Sequence, residues 1–415
     1  MSVPARPSIL ALLVLLLASP LPATEVWHSW GGPRGDFHVD APALLEKWPE
    51  TGPTRIWSRE LGDGYSAIAA DEGRLTTMYR DGETEVVICL DAGTGKTLWK
   101  HSSPAPLSES IHKEFGVGPR AMPLLASGRL FTVGITGLLQ CLDPGTGKVH
   151  WQKSVYEDLG GKEITFGYAC TPVPFGETIL LPVGGTKGSV VALSVSDGSL
   201  VWGGGDFGLS YATPLLTEVD GDPHLVAFMA RNVVGLDPRS GKVHWSVHHE
   251  NQWGTNCTTP VLGPGGKLFV TTEETGSRLL RLHKKGDSVV AEEAWFERRP
   301  QVVFTNVLLL GTTLIGSMGV NTAPLTGLDL DTGSILWRER GFNKANVLLA
   351  DGKLIILDED GELGLAVLEK NGLDIRSRCQ LLEKSSWTVP TLIGSRLYAR
   401  DRKTIVALEI GKDRS

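Results

Sequence analysis

The most chemically suggestive stretch of the chain is "LDAGTGKTLW", residues 90–99, because Gly95-Lys96-Thr97 matches the tail of a phosphate-binding loop. Such a loop needs a glycine five positions before the Gly-Lys pair, so that backbone N–H groups can close around the phosphates, and a helix after it. Position 90 is Leu90, and Leu98-Trp99-Lys100 shows no helical spacing before the chain reaches Ser102-Ser103-Pro104. A nucleotide site is therefore excluded here.

Two other stretches invite a metal reading and fail on geometry. "HHENQW" (248–253) places adjacent histidines on opposite faces of an extended strand, in no compact zinc spacing, and reads as solvated loop. "LDEDGELG" (357–364) is too short for a twelve-residue calcium loop and reads as a hairpin turn. Asn256-Cys257-Thr258 is a formal glycosylation sequon. The cysteines, at 89, 141, 170, 257 and 379, form no Cys-x-x-Cys pair, which leaves a disulfide among Cys170, Cys257 and Cys379 open. No Gly-x-Ser-x-Gly stretch or nucleophile, base and orienter set is present. No catalytic residue and no metal ligand is assigned.

The 415 residues are 41% hydrophobic and 21% charged with a net charge of −7, an ordinary globular composition that gives no basic footprint for nucleic acid. Arg6, the apolar run Ile9 to Ala18 and Leu21-Pro22-Ala23 read as a secretory signal over residues 1–23, with the mature start near Thr24. The run is too short to span a hydrocarbon core, which needs about 20 residues. No cysteine precedes Cys89, so the usual lipid attachment behind a bacterial signal has no acceptor. These features predict an exported, soluble protein, periplasmic or secreted.

What must position any site is an internal repeat. "LDAGTGKTLW" recurs as "LDPGTGKVHW" (142–151), "LSVSDGSLVW" (193–202), "LDPRSGKVHW" (236–245) and "LDLDTGSILW" (328–337). Tryptophans fall at 57, 99, 151, 202, 245, 295 and 337, in steps of 42, 52, 51, 43, 50 and 42. Each unit carries four short strands, the third and fourth joined by a Thr/Ser-Gly turn, and no helix signal, which predicts a β-propeller. The final unit, "SSWTVPTLIGSRLYARDRKTIVALEI", stops after its third strand, and "TRIWSREL" (54–61) supplies the missing fourth. The expected fold is an all-β, eight-bladed propeller spanning 54–410, its ring closed by the N-terminal strand. Residues 24–53 form a lead-in and 411–415 a tail. The residue before the third-strand Leu is Cys89, Cys141, Ala192, Gly235, Gly327 and Ala407 in six blades, a position that demands a small side chain where neighbouring sheets approach; Cys89 and Cys141 are packing residues there.

The crossings from each fourth strand to the next blade surround the channel mouth. They contain Gly64-Tyr65-Ser66, Gly118-Pro119-Arg120, Phe166-Gly167-Tyr168, Ser210-Tyr211, Trp253-Gly254-Thr255-Asn256, Thr305-Asn306, Lys344-Ala345-Asn346 and Ser385-Ser386-Trp387. Arg120 and Lys344 are candidates for holding an anion, Tyr168, Tyr211, Trp253 and Trp387 for stacking on a planar ligand, and Asn256 and Asn346 for polar contacts. None of these segments contains an Asp or Glu.

The repeat "LDxxTGKxxW" behind a secretory signal resembles the PQQ-like (pyrroloquinoline quinone) β-propeller repeat family. The lead-in "WHSWGGPRGDF", the stretch "GPRAMP" (118–123) and "SSWTVPTLIGSRLYAR" are similar to its exported BamB-like branch, although Gly31 stands where that branch has Arg. The resemblance implies a monomeric, non-enzymatic scaffold with partner proteins of the cell envelope and no cofactor. Its second branch implies a quinoprotein dehydrogenase holding PQQ and calcium, oxidising an alcohol or sugar, with adjacent cysteines and acidic metal ligands that this chain does not show. A small-molecule or glycan sensor using the aromatic funnel is the third expectation.

Overall fold

A computed structural model describes residues 26–412; the expected signal and the mature start near Thr24 lie outside the described residues. The described residues form eight sheets built from antiparallel four-strand meanders, one of them extended by a short parallel strand, and no helix. Blade 1 comprises Ala69–Asp71, Arg74–Asp81, Thr84–Asp91 and Thr97–Pro104, and blades 2 to 7 repeat the same meander through Gln380. Blade 8 is Thr391–Ile393, Arg396–Arg400 and Thr404–Glu409 completed by Thr54–Glu60, which pairs antiparallel with Thr404–Glu409. The ring is closed by joining the two ends of the chain in one sheet, which leaves no first or last blade with an open face.

The tryptophan and the Gly turn of the repeat are two halves of one contact between blades. Trp57 Nε1 donates to Ala92 O at 3.0 Å, Trp99 Nε1 to Pro144 O at 3.0 Å, Trp151 Nε1 to Val195 O at 3.0 Å, Trp202 Nε1 to Pro238 O at 3.1 Å and Trp295 Nε1 to Leu330 O at 2.9 Å. Each acceptor lies in or just before the third-to-fourth-strand turn of the next blade. Each of these rings also covers that turn's glycine; a methyl on Gly95 would stand 2.7 Å from the Trp57 ring. The two exceptions follow the same logic. Blades 5 and 7 replace the turn with long hairpins, Gly276–Lys285 to Ser288–Glu297 and Glu362–Glu369 to Gly372–Gln380, so the preceding Trp245 and Trp337 have no such turn to cover. Trp245 Nε1 instead donates to His224 Nε2 of its own blade, at 2.9 Å.

The small residue before the third-strand Leu answers to the same tryptophan, which corrects the expectation that an adjoining sheet crowds it. Cys89 faces Trp99, Cys141 faces Trp151, Gly327 faces Trp337 and Ala407 faces Trp57 across one ladder. A methyl on Gly327 would stand 2.2 Å from the Trp337 ring. All five cysteines are free thiols.

The lead-in does more than approach the ring. Trp27 exchanges backbone hydrogen bonds with Ala70 of blade 1, His28 O accepts Leu125 N of blade 2, and His38–Val39 pairs in parallel with Asn346–Ala350 of blade 7. The segment therefore crosses the channel at the end that carries the first-to-second-strand turns. Midway, Trp30 Nε1 reaches Thr259 Oγ1 of blade 5 at 3.0 Å. Gly31, where the related pattern has Arg, adopts φ +84°, and a Cβ there would fall 2.4 Å from the Gly35 backbone, so this tight loop admits no side chain. Beyond it, Trp48 N donates to Ser377 Oγ on the outer strand of blade 7, the blade that carries no Trp of its own.

Candidate functional site

With one end of the channel plugged by the lead-in, a cavity of about 420 Å³ opens at the other, where the crossings lie. Trp30 forms part of its lining from the plugged side. Its walls carry Tyr65, Phe115, Phe166, Tyr211, Phe304 and Trp387, and its charged groups are Arg120, Lys344 and Glu273. The rings form a continuous chain: Tyr65 stacks on Trp387 at 5.1 Å, Phe304 lies 4.9 Å from Trp387, and Phe166 bridges Phe115 and Tyr211 at 5.7 and 6.0 Å. Tyr65 is fixed by its hydroxyl donating to Phe115 O at 2.8 Å.

Of the sequence-derived candidates, Arg120, Tyr211, Lys344 and Trp387 line this cavity. The other four stand elsewhere. Tyr168 is 0% exposed between blades and donates its hydroxyl to Pro182 O at 2.8 Å. Asn256 is equally buried and its amide donates to Met229 O and Ala230 O, which also puts the sequon out of a glycosylating enzyme's reach. Asn346 ties blades together, its amide donating to Trp387 O and its carbonyl accepting Asn306 N. Trp253 points outward at 69% exposure, on the same face but outside the cavity lining.

The "HHENQW" stretch is not uniformly solvated. His249 is fully buried against Phe228 and accepts Arg278 Nε at 2.8 Å, while Asn251 Oδ1 accepts the Trp253 and Thr255 N–H groups. Burial together with the Arg278 charge pushes the His249 pKa down to about 3.

Sequence reasoning missed Trp30, Phe115, Phe304 and Glu273. Phe115 and Phe304 sit in the crossings, just outside the segments quoted above. Glu273 belongs to the second-to-third-strand turn of blade 5, between Lys267–Thr272 and Gly276–Lys285. In a four-strand meander that turn emerges on the same face as the crossings, so strand parity was the signal that could have found it. The same turns deliver Glu359 and Arg402 to the mouth.

Most mouth charges are neutralised within the protein. Arg402 holds Asp63 through two 2.8 Å hydrogen bonds. Lys344 Nζ lies 3.5 Å from Glu359 Oε2, which also accepts Trp387 Nε1 at 3.3 Å. Arg120 differs: its Nε and Nη2 donate only to backbone, to Phe166 O and Gly116 O at 3.1 Å each, and its guanidinium lies 5.4 Å over the Tyr65 ring. Glu273 accepts only Thr255 Oγ1, at 3.3 Å, and burial raises its pKa. Cys257 lines the same cavity; burial, then the Glu273 charge, pushes its thiol up to about 12, against the pull of Arg120.

Residues 82–339, more than half of the chain, match the family model described as outer membrane protein assembly factor BamB. The chain belongs to this family. Members similar to it include the BamB protein of Yersinia pestis, 24% identical over 84% of this chain and 76% of that one, and that of Escherichia coli strain K12, 25% identical over 67% and 71%. The crystal structure of BamB from Moraxella catarrhalis superposes with a TM-score of 0.58 at 18% identity, over 87% of this chain and 99% of that one. The quinohemoprotein alcohol dehydrogenase of Comamonas testosteroni superposes with a TM-score of 0.64 at 12% identity, over 94% and 81%. At such identities the structural likenesses establish the shared ring alone. Among the described residues no helix is long and apolar enough to cross a membrane.

Proposed function

We propose that this family member is a non-enzymatic scaffold of the cell envelope, exported behind its N-terminal signal, that binds partner proteins through the funnel face and contributes to outer-membrane protein assembly. The observation that carries this reading is Trp253. Its ring is 69% exposed, yet its loop is held by Asn251, whose Oδ1 accepts Trp253 N and Thr255 N and whose Nδ2 donates to Thr272 Oγ1 at 2.9 Å. A large aromatic side chain on a pre-ordered loop loses little entropy on docking, which is the property of an interface anchor. Phe115 and Val320, also exposed, lie on the same face.

The quinone-dependent dehydrogenase remains the second reading because the ring is shared with such enzymes. The aromatic walls suit a planar ligand, but the donor set does not suit its calcium ion. Calcium takes 6–8 oxygen ligands, typically several carboxylates, whereas Glu273 is the one carboxylate lining the cavity among the described residues.

Removing the gene in its own organism should lower the yield of folded outer-membrane β-barrel proteins. A Trp253→Ser variant, expressed at normal level, should reproduce part of that defect. Unchanged outer-membrane composition in both strains would remove the scaffold reading. Thermal stabilisation by quinone plus calcium, with dye-linked oxidation of an alcohol or sugar, would replace it with the dehydrogenase.

A further inference from the structure

Arg120 and Glu273 are the two charged groups lining the cavity that have no carboxylate or cation within ion-pair distance among the described residues; Asp63, held by Arg402, acts on Arg120 only from farther off. Among the described residues neither forms an ion pair, while the neighbouring Arg402 and Lys344 are engaged by Asp63 and Glu359. Both line one cavity, as does Cys257, yet they form no ion pair with each other. Arg120 is anchored by Phe166 O and Gly116 O from two segments of the mouth, and Glu273 is steered by Thr255 Oγ1. Desolvating two opposite charges at separate points of one apolar chamber is costly unless a third party completes them.

The cavity that holds both charges also has aromatic walls, and its volume of about 420 Å³ falls within the range of small-molecule pockets, about 300–1,000 Å³. A carboxylate meeting a guanidinium and an ammonium meeting a carboxylate each form charge-assisted hydrogen bonds, strengthened where water is scarce. We propose that the funnel cavity binds a small zwitterion with an aromatic body, its carboxylate on Arg120 and its ammonium on Glu273, the chemistry of a free aromatic α-amino acid. The site is independent of the scaffold reading, since the chamber is not lined by the exposed Trp253.

The test is titration calorimetry of the mature chain with L-tryptophan, N-acetyl-tryptophan and tryptophanamide. Tryptophan should bind saturably, and each blocked derivative at least about tenfold more weakly, the size of one charged hydrogen bond. Glu273→Gln, which keeps an acceptor for Thr255, should bind tryptophan and its N-acetyl derivative equally. Arg120→Gln should erase the preference over the amide. Because Arg120 also ties two mouth segments together, Glu273→Gln carries the decision if Arg120→Gln unfolds. Equal binding of N-acetyl-tryptophan by the unaltered protein, or no saturable binding of tryptophan, tyrosine or phenylalanine, would overturn the proposal.

Discussion

The indole of Trp57 lies across Gly95 and donates its N–H to Ala92 O at 3.0 Å, so the strand that closes the ring is also pinned to the blade after it. Gly95 has φ +68°, and an added methyl would meet the Trp57 ring at 2.7 Å. Gly95→Ala should therefore combine a left-handed penalty with a steric one, about 2–4 kcal/mol in total. Gly73→Ala, where φ is +74° and the space is open, should cost only the first, about 1–2 kcal/mol. Urea denaturation of the two variants checks the difference; equal losses would mean that the ring contact contributes nothing.

Arg400 is a second fastener between blade 8 and blade 1. It is fully buried and donates to Ser66 O, Thr77 Oγ1, Met78 O and Gly64 O at 2.8–3.1 Å. Burial pulls its pKa down to about 10, against the attraction of Asp401 and Asp63. Arg400→Met would leave several buried acceptors unpaired and should cost at least about 3 kcal/mol. Equilibrium unfolding should also show Arg400→Lys well below the unaltered protein, since an ammonium cannot reproduce the planar fork.

Stability should fall on both sides of neutrality. His224 and His249 are held neutral, mainly by burial, with pKa values pushed down to about 4 and about 3. Unfolded histidine takes up its proton near 6.5, so the stability these two contribute is complete above that pH and is lost as pH falls through the folded values. For His224 alone the loss is up to about 3 kcal/mol. Glu85 has the opposite sign: burial, opposed by its hydrogen bond from Ile135 N and by Arg80, raises it to about 7. Its contribution is complete below 4.5 and is lost as pH rises through about 7. Thermal melts between pH 4 and 8 should give a maximum inside that interval, and Glu85→Gln should flatten the alkaline limb.

Tyr168 and Tyr211 look equivalent in the chain, each in a crossing just before a Thr-Pro strand, but should respond differently. Tyr168→Phe removes the hydrogen bond to Pro182 O and should cost about 1 kcal/mol of stability without altering the cavity. Tyr211→Ala removes a cavity wall and the acceptor of Phe166 N, and should weaken any ligand held there. Calorimetric titration alongside denaturation separates the two; a binding defect in Tyr168→Phe would contradict its placement.

The amino-acid sequence determined the ring by itself. Four short strands per unit, the Trp and Gly-turn recurrence and the split last blade are local patterns repeated at nearly constant spacing, and repetition of a unit that cannot bury its faces alone leaves few ways to stack it. The long hairpins that replace the Gly turn in blades 5 and 7 emerged only from the structure. The site was only half legible, for two physical reasons. A crossing residue points into the funnel, as Arg120 and Trp387 do, or into the packing between blades, as Tyr168, Asn256 and Asn346 do, according to backbone direction over a few residues that carry no periodicity. The remaining members come from places distant in sequence: Glu273 from a turn between strands, and Trp30 from a lead-in that reaches blade 5 only by crossing the channel. Closure of the ring brought these groups to one chamber, where Arg120 and Glu273 form no ion pair among the described residues.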